Sequence, residues 1–357
     1  MSSLSDPAAG PHQPHHFDLQ SASEVPDSYA WPTLHGQPSA SEPMPVIDLA
    51  DRDAAGSIGR ACMSWGAFQV TGHRIAPRLL DAIEAETRRL FLLPIQQKLK
   101  AASSPDDRSG YGPIPLSAFC DKLMWSEGFT ISGSPVDHAR KLWPHDHDKF
   151  CDAIEEYKKE MKALSGWLIG LILLSLGLKF EDVAWAAPVG NLPPDLTGTL
   201  RLNSYPPCPE PDKAMGMLAH TDSSLLTILY QSGTTGLQVL RDEDQSSPAR
   251  WVTVPLLPES LIVLVGDLLH ILSNGQLKTA LHRVVVDRIQ HRVSVAYFFG
   301  PPGNVKVSPI EKLVGPGRAP AYRGVTWAEY LGIRMKLFDK ALASLKEQEE
   351  SKEVCDE

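Results

Sequence analysis

Cysteine is scarce: Cys62, Cys120, Cys151, Cys208 and Cys355 are the whole set in 357 residues, odd in number, scattered and without a CxxC pair. That excludes a disulfide framework and a zinc ribbon, and fits a reducing compartment. Positive charge is also short, with 34 Lys and Arg against 43 Asp and Glu and a net charge of -9. A nucleic-acid binder needs a basic face to displace counterions, so nucleic-acid partners are not expected. A small anionic ligand stays open, because one buried arginine can bind a carboxylate whatever the net charge. Apolar runs of membrane length are missing too. The longest stretch, LSGWLIGLILLSLGL at Leu164 to Leu178, falls short of the roughly 20 residues a bilayer requires. It continues a charged helical segment, IEEYKKEMKA, and reads as a buried core helix; no membrane association is expected. The opening MSSLSDPAAGPHQPHH has no basic segment followed by an apolar run, so no secretory signal is expected. A cytoplasmic protein is predicted, with the nucleus as the other compartment open to it.

What is present is ordinary in bulk, 43% hydrophobic and 22% charged, and long enough to bury a sizeable core. Residues 1–42, rich in Pro, Ser, His and Gly, read as a flexible tail. Residues 43–192 read as mainly helical. A short strand at Pro45 to Leu49 is followed by a helix, then a strand near Trp65 to Val70. A helical pattern from about Arg78 to Lys100 is one that Pro94 must kink or divide. Gly110-Tyr111-Gly112-Pro113 reads as a turn. A helix from Cys151 to Leu178 carries Ile154, Tyr157, Met161, Leu164 and Leu168 on one stripe.

Residues 193–301 change character, to short strands separated by Gly, Pro, Asn and Asp: Thr199 to Tyr205, Leu225 to Tyr230, Leu237 to Leu240, Trp251 to Val254, Leu261 to Val265, Leu281 to Val286 and Arg292 to Phe299. Strands this short and closely spaced indicate a sandwich or jelly roll. Residues 302–357 form a loop and a helix opened by the capping box Thr326-Trp327-Ala328-Glu329, running to about Lys346 before a frayed Glu/Lys-rich end. The fold class is α+β.

Within the strand-rich half stands His220-Thr221-Asp222. Two ligands one residue apart at a strand end project to the same side and can share a metal. His282 is the candidate third ligand, from a distant strand. Two imidazoles and a carboxylate occupy one face of an octahedron and leave positions open, the geometry suited to Fe(II) that must take a co-substrate and oxygen together. Alone, an HxD pair is weak and is as readily an ordinary polar strand end. The context strengthens it. Arg292-Val293-Ser294 follows His282 by ten positions (292 − 282), and by period-two alternation Arg292 and Ser294 share a face. A guanidinium fork beside a hydroxyl is a carboxylate receptor. Asn203 and Tyr205 face opposite to Leu200 and Leu202, giving a polar inner wall that Arg201 shares by parity. Two rival ligand sets are weaker. His145-Asp146-His147-Asp148 lies on a loop where adjacent ligands do not easily converge, and His270 lacks the following Arg-x-Ser pair.

Asn203-x-Tyr205, His220-x-Asp222, His282 and Arg292-x-Ser294, in this order and spacing, resemble the plant 2-oxoglutarate- and Fe(II)-dependent dioxygenases. Pro45 to Leu49, Trp65-Gly66-Ala67-Phe68, Gly236 to Val239, Gly266-Asp267 and Ser273-Asn274-Gly275 carry the resemblance over nearly the whole chain after the tail. Lys122 to Ile131 (KLMWSEGFTI), Lys141-Leu142-Trp143-Pro144, Cys208-Pro209-Glu210-Pro211 and Ala219 to Ser223 narrow it to gibberellin 3-beta-dioxygenases. The chain departs from the family in Gly72-His73-Arg74 and in an insert at Asp242 to Pro248, neither at a catalytic position.

The resemblance implies a double-stranded β-helix (jelly-roll) core flanked by N-terminal helices and a C-terminal helix. It also implies Fe(II) on His220, Asp222 and His282, with 2-oxoglutarate at Arg292, Ser294, Tyr205 and Asn203, and ascorbate in support. The activity implied is 3β-hydroxylation of a gibberellin precursor with O2, by a monomer. Tyr111, Trp125, Phe129, Ile131 and Phe298 are the candidates for substrate contact. A gibberellin 2-oxidase, a flavonoid hydroxylase or a non-catalytic hormone-binding relative are the alternatives.

Overall fold

The computed structural model describes residues 17–31, 43–104, 108–112, 121–183, 185, 197–241, 249–316 and 319–347. Its strands are β1 (Val46–Asp48), β2 (Ala67–Thr71), β3 (Gly110–Tyr111), β4 (Glu127–Ser132), β5 (Thr197–Tyr205), β6 (Met215–His220), β7 (Leu226–Ser232), β8 (Leu237–Arg241), β9 (Arg250–Thr253), β10 (Leu261–Val265), β11 (His282–Val285), β12 (Arg292–Gly300), β13 (Lys306–Val307) and β14 (Val325–Thr326). Helices are α1 (Ala54–Ser64), α2 (Pro77–Phe91), α3 (Ile95–Lys98), α4 (Val136–Leu142), α5 (Asp148–Ser175), α6 (Asp267–Leu272), α7 (Glu311–Val314) and α8 (Trp327–Leu337).

Eight strands form the major sheet in the order β1-β2-β10-β7-β12-β5-β4-β3, and four form the minor sheet, β6-β11-β8-β9. All pairs are antiparallel except β1 with β2. The two sheets enclose an inner core containing Met217, Leu237, Val239, Leu264, Val284 and Ala296. The outer face of the major sheet buries Leu200, Leu202, Ile228 and Val263 against the helices. This is the jelly-roll core expected. β10 reads Leu-Ile-Val-Leu-Val without alternation because both its faces are covered, and all five residues are buried.

The sequence residues 43–192 supply four of the eight major-sheet strands, so the helical half and the strand-rich half share one sheet. The long apolar stretch is the second half of α5, whose stripe Ile154, Tyr157, Met161, Leu164 and Leu168 is fully buried or nearly so. Among the described residues no helix is long and apolar enough to cross a membrane. Pro94 divides the second helical pattern as expected, ending α2 at Phe91 and opening α3 at Ile95.

Three expectations are corrected. Gly110-Tyr111 is a short strand, paired to Thr130 and Phe129, where a turn was read; Gly110 at φ +115° supplies the local kink. The C-terminal helix stops at Leu337 instead of Lys346. Thr326 caps it by accepting from the Glu329 N–H, but Phe338 at φ +46° turns the chain so that Ala341 and Leu345 pack inward. Residues 17–31, within the stretch read as tail, are docked: Leu19 is buried, Trp31 N–H donates to Lys213 O and Leu123 N–H to Ser28 O. Strand β4 was not anticipated from the pattern, and β6 only through the strand end read at His220. The insert 242–248 and the end at 348–357 lie outside the described residues.

Candidate active site

His220 ends β6 and His282 opens β11, and the antiparallel register sets them directly opposite each other, with ring centroids 4.3 Å apart. Asp222 follows two residues later, its Oδ1 3.6 Å from His220 Nε2 and 4.0 Å from His282 Nε2. One ligand atom from each of the three lies within 4.8 Å of the others, the only such cluster among the described residues. The backbone fixes the tautomers. His220 Nδ1 lies 2.7 Å from Leu218 O and His282 Nδ1 2.9 Å from Ala280 O, so each Nδ1 carries the proton and each Nε2 lone pair points inward. Burial, with the neighbouring His282, pushes His220 down to about 3. Burial alone would raise Asp222, but the two imidazoles, a Thr227 hydrogen bond and Arg334 hold it below the usual carboxylate range. A neutral His220 and an ionised Asp222 are the protonation states that a divalent cation requires of them.

Behind this turn sits a support that the motif reading did not find. Asp267, fully buried at the start of α6, accepts on one oxygen from Arg334 Nη1 (2.6 Å), Tyr330 OH (2.7 Å) and Thr221 Oγ1 (3.1 Å). Its own N–H donates to Asp222 O at 2.8 Å, and Arg334 also reaches Thr221. The Gly266-Asp267 pair was visible as a family feature. Its partner Arg334 was not, since 67 residues separate them. Arg334→Gln is expected to weaken Fe(II) binding by roughly 10–100-fold, the usual cost of losing an outer partner of a ligand. A chelator titration would read this, and unchanged affinity would remove the support role.

Strands β5 and β12 build the opposite wall. Their register pairs Arg292 with Tyr205, Ser294 with Asn203, and Ala296 with Arg201, all toward the inner core. Arg292 is 2% exposed, and its guanidinium lies 4.9 Å from the Tyr205 ring centre. Nη2 donates to Gln231 Oε1 at 2.9 Å, whereas Nε and Nη1 find no partner among the described residues. A buried cation with two orphaned donors beside the Ser294 hydroxyl fits an incoming carboxylate. A cavity of about 50 Å³ holds the triad together with Arg292, Ser294, Asn203 and Tyr205.

Arg201 and Met217 line this cavity and also a larger one of about 610 Å³. The larger one is walled by Leu92, Leu93, Ile95 and Leu99 on one side and by Phe17, Leu19 and Tyr29 on another. Among the described residues Arg201 bonds only neutral acceptors: Asn203 Oδ1 at 3.1 Å, Thr130 Oγ1 at 2.7 Å and Gly112 O at 3.3 Å. Burial pushes its pKa down to about 10, leaving it charged at neutral pH. It lies across Gly128, where an added Cβ would come 2.0 Å from its Nη2. Glu127, by contrast, is already engaged by Lys98 and by Tyr111 OH at 2.6 Å.

Of the substrate candidates, Tyr111 lines the large cavity and Phe298 the small one. Phe129 and Ile131 line neither. They pair with Leu202 and Leu200 on the outer face of the sheet and are fully buried against the helices. Trp125, also fully buried, stands behind Phe17 and Tyr29 with its Nε1 on Pro207 O. His270 is held by Leu277 O and Tyr322 OH, away from the cluster, and Asp146 pairs with Arg89.

A jelly roll holding a facial His-Asp-His set and an anion-seeking arginine defines a mononuclear non-haem iron oxygenase. Residues 196–301 match the 2OG-Fe(II) oxygenase superfamily, and residues 44–147 match the N-terminal region described as non-haem dioxygenase in morphine synthesis. The chain belongs to the 2OG-Fe(II) oxygenase superfamily. It is 48% identical to gibberellin 3-beta-dioxygenase 1 of Arabidopsis thaliana, over 95% of this chain and 96% of that protein. It is also 48% identical to gibberellin 3-beta-dioxygenase 1 of Pisum sativum, over 93% and 89%. Among solved structures, JOX2 in complex with 2OG, Fe and JA is similar at a TM-score of 0.78 and 32% identity, covering 92% of this chain and 95% of that one. The rice dioxygenase for auxin oxidation follows at a TM-score of 0.67 and 30% identity, covering 85% and 100%.

Proposed function

We propose that this protein is a gibberellin 3β-hydroxylase, a 2-oxoglutarate-dependent dioxygenase acting on a gibberellin precursor. The observation that carries the substrate class is a second arginine, half-buried where the two cavities meet. Arg292 and Arg201 sit on the same inner wall, four rungs apart on β5 (205 − 201), roughly 13 Å at the rise of a strand. Among the described residues neither is neutralised by an acid in the hydrogen bonds it makes. Two separate cations suit two separate carboxylates, one on the co-substrate and one on an acidic substrate with an apolar body. A gibberellin is such an acid, and the relatives named above carry that activity across nearly the full length of this chain.

His220, Asp222 and His282 hold Fe(II), which with 2-oxoglutarate and O2 supplies the oxidation that turns a C–H bond into C–OH while 2-oxoglutarate becomes succinate and CO2. Arg292 and Ser294 receive the far carboxylate of 2-oxoglutarate beside Tyr205, and Asn203 borders its other end. Arg201, at the junction of the two cavities, receives the substrate carboxylate and so fixes which carbon faces the metal. The larger cavity, within the 300–1,000 Å³ usual for small-molecule sites, takes the apolar rings and keeps water from them.

The test is aerobic incubation with Fe(II), 2-oxoglutarate and a panel of gibberellin precursors, read by mass spectrometry. A 3β-hydroxylated product with matching succinate is expected; hydroxylation at another carbon overturns the regiochemistry. Arg201→Gln is expected to lower kcat/KM for the gibberellin by roughly 10–100-fold, the worth of one charge-assisted hydrogen bond, with 2-oxoglutarate affinity unchanged. Gly128→Ala is expected to act in the same direction by displacing the Arg201 side chain. Equal kcat/KM in wild type and Arg201→Gln would move the carboxylate elsewhere.

A further inference from the structure

Residues 17–31 carry no motif, and their composition reads as tail, yet five of them line the larger cavity: Phe17, Asp18, Leu19, Gln20 and Tyr29. The segment is fastened at both sides of the cavity mouth. Gln20 Nε2 donates to Phe91 O at the end of α2 (3.3 Å). On the far side Lys122 Nζ donates to Asp27 O (2.7 Å), Trp31 Nε1 to Leu123 O (3.2 Å), and Val25 N–H to Glu210 Oε2 (3.3 Å). The backbone bonds of Ser28 with Leu123 and of Trp31 with Lys213 complete the attachment. Phe17 and Tyr29 stack at 5.5 Å, and both abut Trp125, at 6.2 and 5.6 Å.

Phe17 remains 39% exposed, with Leu19 buried beside it. A large ring held by an aromatic cluster, partly uncovered and lining the cavity, is a surface prepared for an apolar ligand. The opposite wall, Leu92, Leu93, Ile95 and Leu99, is aliphatic. Arg201 and Met217 line both this cavity and the metal cavity.

We propose that the segment 17–31 is a substrate-binding wall, in which Phe17 and Tyr29 grip the apolar ring system of the substrate and set which ring substitution is accepted. This rests on the reading of the larger cavity as the gibberellin site. The rings press on the part of the substrate remote from the metal, so their contribution is made equally in the ground and transition states. Loss of uniform binding of this kind raises KM and leaves kcat in place.

The experiment uses the full-length protein loaded with Fe(II) and 2-oxoglutarate, comparing wild type with Phe17→Ala, Tyr29→Ala, the double variant and Tyr29→Phe. Substrate KM is measured on a gibberellin that the wild type turns over, at whatever carbon. Binding of the same compound is measured anaerobically by equilibrium dialysis. A shifted regiochemistry then counts against the 3β reading alone and leaves the comparison of variants intact. The alanine variants are expected to raise substrate KM and dissociation constant at least tenfold, with kcat within threefold and 2-oxoglutarate KM unchanged. Tyr29→Phe is expected to behave as wild type, because the ring and not the hydroxyl makes the contact. A double variant whose substrate affinity stays within twofold of wild type overturns the proposal. So does one in which 2-oxoglutarate and substrate affinity fall together, since a purely structural segment would weaken both. Phe17→Ala, at a partly exposed position, keeps the test valid if Tyr29→Ala fails to fold.

Discussion

Asp222→Ala leaves two imidazoles and no anion at the metal, and hydroxylation is expected to fall at least ~10³-fold, well beyond the 10–100-fold cost of losing an outer partner. The reason is electrostatic as well as geometric. Asp222 is 6% exposed, so the charge it brings to a cation is weakly screened. It is also the only acid in the cluster. Two neutral nitrogen donors cannot close the facial set that leaves positions open for a bidentate co-substrate and oxygen. The check is metal content after equilibration with Fe(II), alongside thermal melting with and without the metal. Wild type is expected to gain stability with Fe(II) by mass action, and the variant to show little gain. A variant that retains stoichiometric iron would displace Asp222 from the ligand set.

Arg292→Ala is expected to raise the KM for 2-oxoglutarate by roughly 30-fold to several thousandfold, the 2–5 kcal/mol that truncating a buried, hydrogen-bonded charge pair costs. Two of its donor atoms have no partner among the described residues and the third is spent on Gln231, so the co-substrate carboxylate is the group that completes it. Lysine at this position keeps the charge and loses the fork, and is expected to recover only part of the affinity. Gibberellin affinity, proposed above to rest on Arg201, is expected to stay near wild type, which separates the two arginines. A variant with ordinary 2-oxoglutarate KM would mean that another cation receives it.

The metal and co-substrate residues were legible because strand alternation is rigid. His220 and Asp222 flank one residue at the end of a strand; Arg292 and Ser294 flank one residue at the start of another, and the register of β12 on β5 carries the same parity to Asn203 and Tyr205. Parity, applied to β4, also separates Gly128 and Thr130 from Phe129 and Ile131. Phe129 and Ile131 fall on the outer parity, and the inner position Gly128, which leaves room for the Arg201 side chain, carries no bulk to notice. The Asp267–Arg334 support and the docking of 17–31 could not be read. Their contacts join positions far apart in the chain and, for the segment 17–31, run largely through backbone atoms that any sequence supplies.

The tie between α8 and the HxD turn bears on how the protein comes into being. Arg334 and Tyr330 reach back across more than 60 residues to the carboxylate of Asp267, which also accepts from Thr221 and whose backbone N–H donates to Asp222 O. A ribosome-bound chain that has not yet released this helix therefore has its three metal-binding side chains translated but their rear brace absent. A truncation before Trp327 removes the brace without touching a single ligand, and is expected to weaken iron capture in a chain whose triad is intact.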